Sequence, residues 1–259
     1  MLTILAIVSM PTLDAQACEK TVRWYDDAPY SYRAPNGEVV GFDADLMRAI
    51  LQRTGCRAVF VNMPWARALI ELEAGRLDLL SGTFRNADRE SYAYFSIPAL
   101  QSRNVLYWGP KARSQYRLSK LDELVGTQFQ LGVQIGVSYG DNFDTLKANP
   151  LFRNNQVPVT LRRNAWKMMA LGRIDGMIAD EASAEVELRQ LGLEGVLKPS
   201  GIIASSNTSM VAFSKRSITP QFVESFNQAL QAMIDSGEYR RIRERYLRCP
   251  PDSKVLGCS

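Results

Sequence analysis

The 259-residue chain is 46% hydrophobic and 22% charged, enough to bury a core in one large domain or two small ones. Its net charge of +4 is spread along the sequence with no basic block, which excludes a nucleic-acid-binding character. Histidine is absent, which removes the commonest general base, the commonest metal ligand and every Ser–His or Cys–His nucleophile.

The chain opens with a short apolar run, Leu2 to Met10, followed by the small-residue stretch Ala15-Gln16-Ala17. The run is too short to span a bilayer and reads as a cleavable export signal over 1–17, although no charged residues precede it. Export to the periplasm is therefore expected. Cleavage after Ala17 makes Cys18 the first mature residue. Lipid attachment there is a lesser alternative, because Ala15 stands where lipoprotein signals usually carry Leu. An even set of four cysteines in an exported chain suggests two disulfides, with three possible pairings. Proximity favours Cys249–Cys258, which leaves Cys18–Cys56. With no CxxC and no His, neither a metal nor a cofactor is expected.

Thr21 to Trp24 reads as a strand, and Asn36-Gly37 as a turn between Tyr30–Tyr32 and Val39–Val40. Asp43 to Arg53 carries Leu46, Met47, Ile50 and Leu51 at helical spacing and stops at Gly55. A strand over Ala58–Val61, a helix over Trp65–Ala74 ended by Gly75, and a strand over Leu77–Leu80 complete a β-α-β-α-β run. Such alternation implies a mainly parallel sheet with crossover helices. Its first two strands can be parallel neighbours, which places Cys18 beside Cys56. A second set follows: strands over Gln130–Val133 and Gly176–Ile178, helices over Trp166–Leu171 and Glu181–Leu191, and a glycine-bearing turn at 136–140. A strand over Ser209–Ser214, an amphipathic helix over Pro220–Ser236 and an Arg-rich helix over Glu238–Leu247 end the chain.

Five stretches, in order, resemble the extracellular solute-binding proteins of the amino-acid ABC transporter family, of the family 3 type. They are Gly41-Phe42-Asp43-Ala44-Asp45-Leu46; Gly75-Arg76-Leu77-Asp78 with Gly82, Asp88-Arg89 and Phe95-Ser96; and Gly132-Val133 with Gly136. The last two are Gly172-Arg173-Ile174-Asp175-Gly176 with Asp180, and Phe226-Asn227-Gln228-Ala229-Leu230 with Gly237 and Tyr246. The resemblance implies an α/β, two-lobed periplasmic-binding-protein fold, each lobe a mainly parallel sheet flanked by helices, joined by two hinge strands. Lobe 1 would comprise 18–108 and 209–259, and lobe 2 would comprise 109–208. The cleft between them would close over ligand by hinge bending.

An amino acid needs a fixed cation, a fixed anion and an apolar wall. By the resemblance, Arg89 forks onto the ligand carboxylate, with a surface salt bridge to Asp88 or Glu90 as the lesser alternative. Asp180, just past a strand end, accepts from the ammonium and could also cap the helix that follows. Ser138 helps hold the carboxylate, Trp65 forms a wall, and Gly82 lets backbone approach the ligand. Asp26 and Tyr30 lie in the first loop with Tyr25, where the family also makes contacts. Phe84 departs from the usual Ser or Thr, and Arg85 and Arg67 would add cations near the cleft mouth. An acidic solute is therefore an alternative ligand.

The expected function is a non-enzymatic, monomeric receptor delivering an amino acid or similar small polar or anionic solute to an ABC permease. The alternatives are an accessory or sensory ligand-binding protein for a periplasmic partner, or a small-molecule dehydratase on the same fold.

Overall fold

The computed structural model describes residues 18–248 and Leu256. The chain begins with β1 (Cys18–Trp24), the small antiparallel pair β2 (Tyr32–Arg33) and β3 (Val39–Val40), then α1 (Phe42–Arg53), β4 (Cys56–Asn62), α2 (Trp65–Glu73) and β5 (Leu79–Thr83). Short elements follow: α3 (Ala87–Glu90), β6 (Ala93–Phe95), β7 (Leu100–Gln101), β8 (Asn104–Trp108) and α4 (Pro110–Gln115). Next come β9 (Leu131–Gln134), α5 (Asp141–Lys147), α6 (Pro150–Arg153), β10 (Gln156–Val159), α7 (Arg162–Ala170), β11 (Gly176–Asp180), α8 (Glu181–Leu191) and β12 (Lys198–Ser205). The chain closes with β13 (Thr208–Ser214), α9 (Pro220–Asp235) and α10 (Glu238–Glu244).

Apart from the β2–β3 pair, these strands build two separate sheets. The first runs β4-β1-β5-β13-β6, with β7 also on β13; the second runs β10-β9-β11-β8-β12. In each, three parallel strands carry antiparallel neighbours on one side: β13 on β5, and β8 on β11. Apolar side chains alternate between the two faces, as the strand period of two requires. Val105 and Tyr107 join the cluster under α7 and α8, whereas Leu106 joins the one around Phe129, Phe143 and Phe152. In β13, Val211 and Phe213 face α1, α9 and α10, while Ala212 faces α2. Helices therefore cover both faces of each sheet.

The chain crosses from the first sheet to the second between Gln101 and Asn104, and back between Ser205 and Thr208. The strand Asn104–Trp108, assigned to the first lobe from sequence, pairs within the second sheet. At the crossing the two passes touch: Gln101 Nε2 donates to Ser206 O and Ser102 N donates to Asn207 O.

Cys18 and Cys56 are register partners on the parallel neighbours β1 and β4, and they form a disulfide. The bond uses the Cys18 sulfur that a thioether-linked lipid would need. Cys249, Cys258 and the export-signal residues lie outside the described residues.

Candidate functional site

The motif Gly41-Phe42-Asp43 has a steric cause. Gly41 adopts φ +121°, and a Cβ there would lie 2.4 Å from the Tyr30 carbonyl oxygen. Without it, the Pro29 and Tyr30 carbonyls accept the Phe42 and Asp43 amides at 3.0 and 2.9 Å. Those bonds satisfy the first donors of α1, which has no side-chain cap. They also bring Tyr30 and Asp43 side by side at the edge of a cavity of about 130 Å³ lying between the two sheets.

From the first-sheet side the cavity is lined by Arg23, Asp27, Tyr30, Asp43, Trp65, Ser81, Gly82, Phe84 and Arg89. From the second it is lined by Gln134, Ser138, Tyr139, Arg162, Asp180 and Ser183. Of the seven residues singled out from sequence, Arg89, Asp180, Ser138, Trp65 and Tyr30 meet here. Gly82 is there too, at φ +69°. Asp26 is not: it is exposed and borders a neighbouring cleft with Tyr25, while Asp27, one position on, faces the cavity.

Arg89 is buried, and burial lowers the pKa of its guanidinium. Its Nη1 donates to Phe84 O at 2.7 Å, and its Nη2 reaches the second-sheet side to donate to Gly136 O at 3.0 Å. Trp65 Nε1 donates to the same carbonyl at 3.0 Å. Gly136 is thus clasped by two side chains from the opposite sheet. Ser138 donates to Asp144 at 2.6 Å and so presents oxygen lone pairs. Asp180 is the N-cap of α8, accepting from Ser183 N at 2.9 Å, and it also accepts from the Tyr30 hydroxyl at 3.0 Å. Burial raises its carboxyl, with the Ser183 amide and Tyr30 offsetting part of the shift. Capping and cavity lining therefore coexist in one side chain.

Arg67 and Arg85, expected to add cations at the cleft mouth, are exposed and paired with Glu71 and Glu90. Neither lines the cavity. The additional cations are Arg23 and Arg162, which the sequence did not flag. Arg162 pairs with Asp27 across the cleft and with Glu187 at 2.9 Å on its own side. Burial alone would raise Asp27, but Arg162 and Arg23 outweigh it and hold the carboxyl below its ordinary value. Burial likewise opposes the charge on Arg162, but Asp27 and Glu187 together raise it well above its usual value.

Two further groups escaped the sequence reading. Ser81 is 8% exposed and lines the cavity, and its hydroxyl has no hydrogen-bond partner among the described residues. Asp43 is held at the cavity edge, and burial, then the neighbouring charge of Asp27, raises its carboxyl to about 7, with Arg23 offsetting part. The arrangement offers cations and anions from both sides to a small polar solute. Among the described residues no group of side chains is placed to hold a metal ion.

The chain is similar to several known proteins. An arginine-binding periplasmic protein of Mannheimia haemolytica is 24% identical over 251 residues, covering 95% of this chain and 98% of that one. A cyclohexadienyl dehydratase of Pseudomonas aeruginosa is 35% identical over 77 residues, a match spanning 29% of either chain. An ancestral arginine-binding protein solved with arginine superposes with a TM-score of 0.75 at 22% identity, covering 90% of this chain and 99% of that one. The pattern of the bacterial extracellular solute-binding proteins, family 3, matches residues 22–248. With both crossings and every cavity-lining residue falling inside that match, the chain belongs to family 3 of the bacterial extracellular solute-binding proteins.

Proposed function

We propose that the chain is a periplasmic receptor that captures an amino acid between its two lobes and hands it to an ABC permease without chemical turnover. The lobes are taken to divide at the two crossings, slightly ahead of the 109 limit read from sequence. The observation that carries the reading is the pairing of Arg89 on one wall with Asp180 on the other, around a cavity that also holds the unpartnered Ser81 hydroxyl. A forked cation suits a carboxylate, a carboxylate suits an ammonium, and an unbonded buried hydroxyl suits a polar ligand atom. Ser138 and Trp65 complete the contact set, and relatives named for amino-acid binding support the class.

The test is a thermal-shift screen of the oxidised protein against the standard amino acids and small dicarboxylates. A ligand that binds only the folded state at about a hundred times its dissociation constant adds roughly 2.7 kcal/mol of stability. A shift with one or more amino acids, lost in Arg89→Ala and Asp180→Ala, is the expected result. A shift with dicarboxylates alone would leave a receptor but remove the amino acid.

The local likeness to a dehydratase supports a second reading, in which the same cavity removes water from a cyclohexadienyl compound. Incubation with such a compound and mass spectrometry for loss of water separates turnover from capture.

A further inference from the structure

We infer that the end of the second sheet farthest from the cavity is a docking surface for anionic phospholipid headgroups, which hold the exported protein against a membrane while its cleft stays free for solute. The inference goes beyond solute capture and takes from the reading above only the export of the chain.

The register of the second sheet sets the geometry. Asn104 lies opposite Asp180 at the cavity end of the β8–β11 pair, and Trp108 lies opposite Gly176 at the other end. Four steps along a strand are roughly 13 Å. The Gly109 amide, which follows Trp108 and precedes α4, donates to Asp175 O at 2.9 Å and so fixes α4 beside the turn that ends α7. Lys198, at the start of β12, is the register partner of Trp108. Tyr116, just after α4, meets Phe129 edge-on with ring centroids 5.1 Å apart, which keeps that stretch at the same end.

This end gathers cations that the sequence scatters. Lys111, Arg113, Arg117 and Lys120 fall within ten residues that hold no acid, and the fold adds Arg173 and Lys198 from distant parts of the chain. All six are exposed, and none has an ion pair among the described residues. The neighbouring acids are turned elsewhere: Glu123 accepts from Ser119 N and Oγ, Asp175 accepts from Gln130 N, and Glu194 pairs with Arg189. Six cations against Asp122, Glu123 and Asp175 leave an excess of three positive charges here, on a chain whose total is +4, so the rest is close to neutral. None of the six lines the interlobe cavity or the cleft beside it. A second copy of the chain is a poor occupant, because a symmetric contact would set like charge against like. Leu171, 68% exposed in the turn beside α4, adds an apolar side chain to the charged end. Lys and Arg around an exposed aliphatic group suit a bilayer interface, where headgroups take the charge and the acyl boundary takes the apolar side chain. The Cys18 sulfur is held in the disulfide, and no helix among the described residues is long and apolar enough to cross a membrane. Electrostatic contact is the route to a bilayer that those residues offer.

The experiment is co-sedimentation of the oxidised protein with vesicles of phosphatidylcholine alone and of phosphatidylcholine mixed with phosphatidylglycerol. At low salt the protein should pellet with the anionic vesicles and not with the neutral ones. In about 1 M salt, where the screening length is about 3 Å, it should stay in solution. Each cation at an anionic surface contributes roughly fivefold to partitioning. The triple variant Lys111→Gln, Arg113→Gln, Lys120→Gln should therefore bind about a hundredfold more weakly, with its fold checked by circular dichroism and its solute affinity unchanged. Arg117 is left in place because its Nη1 donates to Arg113 O and Tyr116 O at the end of α4. A second triple variant, Lys147→Gln, Arg240→Gln, Arg241→Gln, loses the same charge from exposed positions elsewhere and should stay within about fivefold of wild type. Equal loss in both variants would show a response to net charge and overturn the assignment to this surface. Absence of binding, or binding that ignores lipid charge and salt, overturns the inference. So does self-association that the first variant abolishes, which would make this end an interface between copies. Solute capture is scored separately by the thermal-shift screen, so failure of one reading is distinguished from failure of the other.

Discussion

Arg162, on α7 beside the second sheet, pairs with Asp27, just beyond β1 of the first, while its other edge is held by Glu187. Glu187 is itself fixed by Trp166 Nε1, and Ser183 Oγ lies 3.3 Å from the same Asp27 oxygen. The guanidinium is therefore positioned on its own lobe and tied to the opposite one. Arg162→Met should leave Asp27 with Arg23 alone as a cationic partner and Glu187 with none. Removing one partner of a buried pair typically costs about 3–5 kcal/mol. Here the remaining contacts should reduce the loss to about 2–3 kcal/mol, read as a lower urea midpoint. Small-angle scattering of the ligand-free variant should also show a larger radius of gyration, because a tie between lobes has gone. An unchanged midpoint and radius would mean that the bridge contributes nothing.

Ser81 gives a prediction with two opposite signs. Its buried hydroxyl has no partner among the described residues, so the folded protein bears a desolvation cost for it. Ser81→Ala should leave the ligand-free melting temperature unchanged or raise stability by up to about 1 kcal/mol. The same substitution should weaken amino-acid binding by roughly five- to tenfold, the size of one neutral hydrogen bond. A variant that loses stability without losing affinity would make Ser81 a packing residue.

Much of the fold was legible because its signals are local. The helical spacing of Leu46, Met47, Ile50 and Leu51 gave α1, and all four are buried. Alternation of strands and helices gave the parallel neighbours β1 and β4, and with them the Cys18–Cys56 bridge. The weakly patterned elements were not foreseen: β6, β7, α3 and α6 are two to four residues long, too short to show a period. The strand β8 begins the second sheet earlier than expected because its pairing with β11 is a long-range relation.

Site residues were most legible where a motif carried them. Arg89 and Asp180 lie in such motifs and both reach the cavity. Asp26 and Asp27 are adjacent in a loop, and which of them turns inward depends on Arg162, 135 residues away. Arg23 and Arg162 carry no spacing signal, since only the approach of two sheets brings them together. Asp43 stood inside a quoted motif, yet its cavity position follows from the Tyr30 contact that Gly41 permits.

The disulfide joins residues 38 positions apart at one end of β1 and β4, on the edge of the first sheet. A cross-link of that span restricts the unfolded chain by about 3–4 kcal/mol in the chain-entropy model. Reduction, or Cys56→Ser, should lower the unfolding free energy by a similar amount and leave ligand affinity within about twofold. The bridge is at the opposite end of β1 from Asp27 and does not line the cavity. Loss of affinity in the reduced but folded protein would show that the edge of the sheet positions the site.

Asp43 supplies a pH dependence whose sign can be worked out. Burial, then the negative charge of Asp27, raises its carboxyl from an ordinary 3.8 to about 7, with Arg23 opposing and Asp180 adding to the rise. Between those values the folded protein holds more protons than the unfolded chain, so this group makes stability fall as pH rises from about 4 to about 7. Asp180, also raised by burial, acts in the same direction, and the Tyr30 hydroxyl beside it is raised and stays protonated throughout. Asp27 is depressed, so its stabilisation is present above its ordinary value and is lost only on going to lower pH, outside this window. Asp43→Asn should therefore be more stable than wild type at pH 8, by on the order of 1–2 kcal/mol after solvent screening, and should converge with it near pH 4. Melting curves of both proteins at pH 4, 6 and 8 read this. A ligand-free variant less stable than wild type at pH 8 would mean that Asp43 already has attractive partners in the folded chain.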